Sequence, residues 1–112
     1  MSKSSTKAHS RYCRDAAALL GKLIRTKRIE HKFSEQILAE RAGISRSLLQ
    51  RIEKGELTCS IGSVFEVASI VGIPLFEEDR NRLQTTLSSY ESKLTLLPKA
   101  VRKSLKETQD DF

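Results

Sequence analysis

The stretch from Ser34 to Gly55, SEQILAERAGISRSLLQRIEKG, constrains the fold more than any other part of the chain. It reads as two short helices joined by a single glycine turn. Across Glu35–Ala42, the apolar Ile37, Leu38 and Ala42 fall on one side at the spacing of a helix face. Gly43 then stands where a helix end needs a left-handed residue, a conformation that glycine adopts without steric cost. Ser45 follows at an N-cap position and opens a second helix, with Leu48, Leu49 and Ile52 on its buried face. Ala39 is small enough to let the two helices cross closely.

Two helices held at an angle by such a turn form a helix-turn-helix, a shape that can lay its second helix in the major groove of DNA. The solvent side of the second helix suits that role. Arg46, Ser47, Gln50, Arg51 and Lys54 make a polar stripe without a carboxylate of its own. Arg and Gln reach base edges with paired hydrogen bonds, Ser bonds to bases or phosphate, and Lys suits phosphate. The plainer alternative is an ordinary solvated helix face. Charge placement weighs against it. Residues 1–54 carry 13 Lys/Arg against 5 Asp/Glu, whereas residues 55–112 carry 7 against 9. A basic first half points to nucleic acid at one end and to a different partner at the other.

The remaining segments complete an all-α reading. At 112 residues the chain makes one domain plus tails. Met1 to Ser10 is Ser/Lys-rich and expected to be disordered alone, with Lys3, Lys7, Arg11 and Arg14 available to phosphates or simply solvated. A first helix is predicted from about Asp15 to His31, with Leu20, Leu23 and Ile24 as its apolar face. Arg28 continues the Leu20–Ile24 row inward, and Glu53 extends the Leu49 row in the same way. A buried charge needs a partner, so an Arg28–Glu53 ion pair is predicted, the alternative being that both side chains snorkel to water. Ser60 caps a further helix with Ile61, Val64, Phe65, Ala68 and Val71 along one side, and Gly72 stops it.

Beyond that helix, Ile73-Pro74-Leu75-Phe76 is expected to be extended, as a strand or a connector. From about Asp79 to Leu97 a long helix carries Leu83, Leu87, Tyr90, Leu94 and Leu97 in steps of 4, 3, 4, 3, a coiled-coil seam. That seam packs either on a second copy of the chain or back on the core. Pro98 ends the helix, and a tail with Arg102, Lys103 and Lys106 closes on Asp110-Asp111-Phe112. Cys13 and Cys59 stand alone in sequence and are expected to be free intracellular thiols. No apolar run approaches membrane-spanning length. His9 and His31 have no nucleophile–base arrangement or metal-ligand spacing around them, so neither catalysis nor a metal or cofactor is expected.

From about Leu20 to Leu75 the chain resembles the Cro/C1-type regulators, the XRE family, which have a lambda-repressor-like fold. The resemblance rests on Leu20-Gly21, Arg25, Arg28, Ser34, Leu38-Ala39, Ala42-Gly43-Ile44-Ser45, Leu49, Ile52-Glu53 and Gly55. It implies base reading by Arg46, Ser47, Gln50 and Arg51. It also implies phosphate contacts around the starts of the second and fourth helices, at Ser34, Gln36 and Ser60, with Ser45 and Lys54 beside them. Two departures stand out. Glu35 occupies a place where the family usually has Gln, which passes the phosphate anchor to Gln36. The loop Glu56-Leu57-Thr58-Cys59 lacks the basic residues that some members bring to the backbone.

The second half, with Gly-Ile-Pro-Leu-Phe, a leucine-rich helix, Leu97-Pro98-Lys99 and the terminal Asp-Asp-Phe, resembles HipB-type antitoxins. That implies a homodimer on an inverted-repeat operator, repressing its own operon and binding a HipA-like kinase toxin. The expected organisation is a flexible basic arm (1–12), a helix-turn-helix DNA-binding domain of four or five helices (13–76), a dimerisation or partner-binding helix (77–98) and a flexible tail (99–112). The expected location is the cytoplasm, on the nucleoid when DNA is bound. The alternatives are a phage-type repressor or restriction-system controller without a toxin, or an interaction adaptor that no longer binds DNA.

Overall fold

The computed structural model describes residues 8–101 and is all-helical over them: α1 (Arg11–Glu30), α2 (Glu35–Ala42), α3 (Arg46–Glu53), α4 (Ile61–Ile70) and α5 (Arg80–Leu96). The sequence expectations for Lys3, Lys7, Arg102, Lys103, Lys106 and the terminal Asp-Asp-Phe lie outside the described residues. The chain divides into two compact units after Leu75, the first holding α1 to α4 and the second α5.

Serine hydroxyls start the first four helices. Ser34 Oγ accepts from the Ile37 amide at 3.1 Å, and Ser45 Oγ from the Leu48 amide at 3.0 Å. Ser60 Oγ takes the Ser63 amide at 3.3 Å. Each bond satisfies an amide that has no partner within its own helix. Gly43 ends α2 at φ 70° and ψ 31°, so the turn is left-handed as its position in the sequence predicts.

α1 begins at Arg11, a full turn before the expected Asp15, because Ser10 caps it by accepting from the Cys13 amide at 3.1 Å. That start lies well ahead of the first buried residue of α1, where apolar periodicity gives no signal. The 73–76 segment is not a strand, and no strand exists among the described residues.

In the first unit, α3 packs on both α1 and α2, and α4 packs on α2. Their common core is Ile24, Leu38, Ala39, Leu49, Ile52, Val67 and Val71. Four residues expected on apolar faces differ: Leu23, Ile37, Ile61 and Phe65 are exposed. The core lies toward Leu20 and Ile24 on α1, toward Leu38 and Ala39 on α2 and toward Val64, Val67 and Ala68 on α4, which leaves those four at or beyond its margin. Leu48, expected inside, is half-buried at the same margin.

The link from α1 to α2 uses a residue that sequence rules do not favour. Lys32 has φ 61°, the left-handed region that non-glycine residues avoid. The turn is held by the Phe33 amide donating to Arg28 O at 3.0 Å and by Arg41 lying 4.5 Å above the Phe33 ring.

In the second unit, Asp79 caps α5 by accepting from the Asn81 amide at 2.9 Å. None of the residues of α5 is buried.

Candidate nucleic-acid interface

α3 has two sides with opposite jobs. Leu49 and Ile52 face the core, and Glu53 turns inward with them. The Arg28 Nε donates to Glu53 Oε2 at 2.7 Å and its Nη2 to Oε1 at 3.1 Å, a two-pronged pair with both side chains less than a tenth exposed. A third Arg28 nitrogen donates to Phe33 O at 3.1 Å. The hydrogen bond to Glu53, and secondarily its charge, raises the Arg28 pKa from an already high value, so the guanidinium stays charged. This pair fixes α3 against α1.

The other side presents Arg46, Ser47 and Lys54 to solvent, with Gln50 and Arg51 half-buried between them. All five share one side because their spacing of i, i+1, i+4, i+5 and i+8 keeps them within about 140° of arc on a helix of 3.6 residues per turn. They stand at the N-cap end, the middle and the C-cap of one helix, and they include three cations. The Ser45 hydroxyl is engaged by the Leu48 amide but keeps its own proton to donate.

This stripe is not free of carboxylates, as its own sequence suggests; two reach it from outside α3. Glu35, the first residue of α2, accepts through Oε1 from Gln50 Nε2 at 2.9 Å and from Arg46 Nε at 3.4 Å. Its Oε2 lies 4.0 Å from Arg28 Nη2. The hydrogen bond from Gln50, then that from Arg46 and the nearby arginine charges, hold the Glu35 carboxyl below the usual carboxylate range. Arg51 donates from Nε to Glu56 Oε1 at 2.8 Å and from Nη2 to Thr58 Oγ1 at 3.3 Å. Glu56 therefore raises the Arg51 pKa. Every long side chain proposed to read bases rests on a carboxylate of this same chain.

The residues expected to hold phosphate are placed as follows. Ser34, Ser45 and Ser60 serve as helix caps. Ser60 also donates its proton to Ser63 Oγ at 2.8 Å. Gln36 is exposed and donates along its own helix to Glu40 at 2.9 Å. Lys54 is exposed at the C-cap of α3. Along the sequence, Glu35 is only a departure from the family pattern and Glu56 only part of a poorly basic loop. A contact with Gln50, fifteen residues on, depends on how α2 crosses α3 and leaves no trace in periodicity.

Residues 24–77 match the family model described as Helix-turn-helix. The chain carries a helix-turn-helix domain. Domains of this shape bind DNA in transcription regulators, and here α2 and α3 are the two helices and Gly43 the turn. No curated protein matches the chain. Among the described residues, the helix-turn-helix protein has no group of three or more potential metal ligands, and no helix is long and apolar enough to cross a membrane. Cys13 and Cys59 are free thiols.

Proposed function

We propose that this chain is a dimeric repressor that reads an inverted-repeat operator and doubles as the antitoxin of a HipA-like kinase. The DNA part rests on the exposed face of α3, where Arg46, Ser47, Gln50 and Arg51 stand together on a helix braced from behind by the Arg28–Glu53 pair. A dimer is supported by α5. Its seam residues Leu83, Leu87, Tyr90 and Leu94, with Leu97 just past its end at the C-cap, remain between 45% and 67% exposed in the single chain. Their 4-3-4-3 spacing is self-complementary, and a second α5 is the occupant it fits. Two-fold symmetry then sets half-sites one or more helical turns apart. The antitoxin part is supported by the sequence pattern of the second half.

Arg51→Ala is expected to weaken binding to the cognate operator by about 1–3 kcal/mol and to relax one base position per half-site. Arg46→Ala is expected to act alike at a second position. Gel shifts on the operator and on single-base variants measure both. An equal loss on every sequence would reduce these residues to phosphate contacts.

The partner is tested by purifying the full chain from its native host. A stoichiometric kinase-like protein encoded beside it is the expected companion. Recovery of upstream DNA without such a protein would leave a repressor alone.

A further inference from the structure

The contact between Glu35 and Gln50 has a consequence for which base is read. An ionised carboxylate accepts hydrogen bonds and donates none. The Gln50 amide must therefore turn its nitrogen, not its oxygen, toward Glu35 Oε1 across the 2.9 Å bond. Glu35 is itself held in place. Arg28, locked by Glu53 and Phe33 O, stands 4.0 Å behind its second oxygen. A chain of contacts thus runs from the buried ion pair to the middle of the exposed face of α3. A glutamate carboxyl is already ionised at neutral pH, and the lowered pKa of Glu35 only extends that to more acid conditions, so the constraint persists.

With one Nε2 proton committed to Glu35, Gln50 offers a fixed pair: its Oε1 as acceptor and its second Nε2 proton as donor. In the major groove adenine presents the complementary set, a donor at N6 beside an acceptor at N7. Guanine presents acceptors at both O6 and N7, and would set O6 against the glutamine oxygen. A glutamine free to turn its amide evades that clash by bringing NH2 round. Gln50 is not free. Arg46 shares the same carboxylate oxygen at 3.4 Å, a longer bond on a more exposed side chain, so it leaves for DNA more readily.

We propose that Glu35 is a specificity-determining residue, whose carboxylate locks the Gln50 amide in the orientation that reads adenine and rejects guanine. The inference rests on the DNA-binding reading above, with α3 in the major groove. Glu35 acts through Gln50 and is a positioning residue.

The test is selection of bound sequences by the full-length protein from a double-stranded library randomised over about 20 base pairs, roughly two helical turns. Wild type, Glu35→Gln, Glu35→Asp and Gln50→Ala are compared. Wild type is expected to prefer adenine over guanine at one position per half-site by at least about tenfold. Gln50→Ala erases that preference and identifies the position. Glu35→Gln, whose amide both donates and accepts, lets Gln50 turn and reduces the preference at the same position to about threefold or less, leaving the others intact. Glu35→Asp keeps the charge but draws it back by one methylene, and is expected to lose the same preference. Melting curves of the variants check that each is folded. Affinity changing equally on all sequences in Glu35→Gln would reduce Glu35 to a repulsive charge near phosphate and overturn the proposal. Undiminished discrimination in folded Glu35→Asp would overturn it as well. If wild type selects no sequence at all, the DNA-binding reading fails, and this inference with it.

Discussion

Glu53→Ala is expected to cost about 3–5 kcal/mol of folding stability, the range for removing one member of a buried ion pair. The cost comes from what remains. Arg28 stays charged, sits between α1 and α3 with its side chain only 9% exposed, and would keep only Phe33 O as a hydrogen-bond acceptor and Glu35, 4.0 Å away, as a weaker charge partner. A domain of this kind has roughly 5–15 kcal/mol in total, so the variant is expected to lose a large share of its stability. Replacing both partners, Arg28→Met with Glu53→Leu, removes the stranded charge and is expected to recover most of the loss. Urea denaturation of wild type, single and double variants makes the comparison. A single variant within about 1 kcal/mol of wild type would mean that water reaches Arg28 and that the pair behaves as a surface contact.

Gly21→Val is expected to be comparably damaging, by about 3 kcal/mol or more, at the upper end of overpacking. Gly21 is buried in the middle of α1, where glycine is otherwise a poor helix residue. A Cβ there would stand 2.5 Å from Glu53 O and 2.7 Å from Ile52 O. Those are backbone atoms of α3, so no side chain can swing away. The helices would have to part at the place where Arg28 meets Glu53, and the loss of stability includes some of that pair. Gly62→Val is the control. Its Cβ would meet nothing within 4 Å, and its effect is expected to stay below about 1 kcal/mol. Equal denaturation midpoints for the two variants would refute the close crossing of α1 on α3.

Gly55 makes the same crossing from the other side. A Cβ on it would sit 2.8 Å from Ala18 Cα, and its φ of 82° is already one that side chains resist. Read along the sequence, Gly55 looks like a helix terminator and no more. In the fold it is also a contact surface. Gly21 carries even less local signal, because a glycine inside a helical pattern reads as a small penalty until its neighbour is known.

The sequence by itself determined the local features. Ser34, Ser45 and Ser60 cap helices through bonds spanning three residues, and Gly43 turns the chain with its own φ. The rows that turn Arg28 and Glu53 inward follow from the helical repeat along one segment. Each of these is decided within about one turn of helix, so local pattern suffices. It fell short where the local signal is weak or the answer depends on a partner. The start of α1 at Arg11 has no buried apolar residue to mark it, and Leu23, Ile37, Ile61 and Phe65 are apolar without being buried. Only the tertiary structure decided that Glu35 holds Gln50 and Arg46, that Glu56 holds Arg51, that Lys32 takes a left-handed turn, and that two glycines serve as the crossing point of α1 and α3. Most of those contacts join separate elements, and their geometry is set by crossing angles that arise when side chains interdigitate, a quantity no single-segment period encodes.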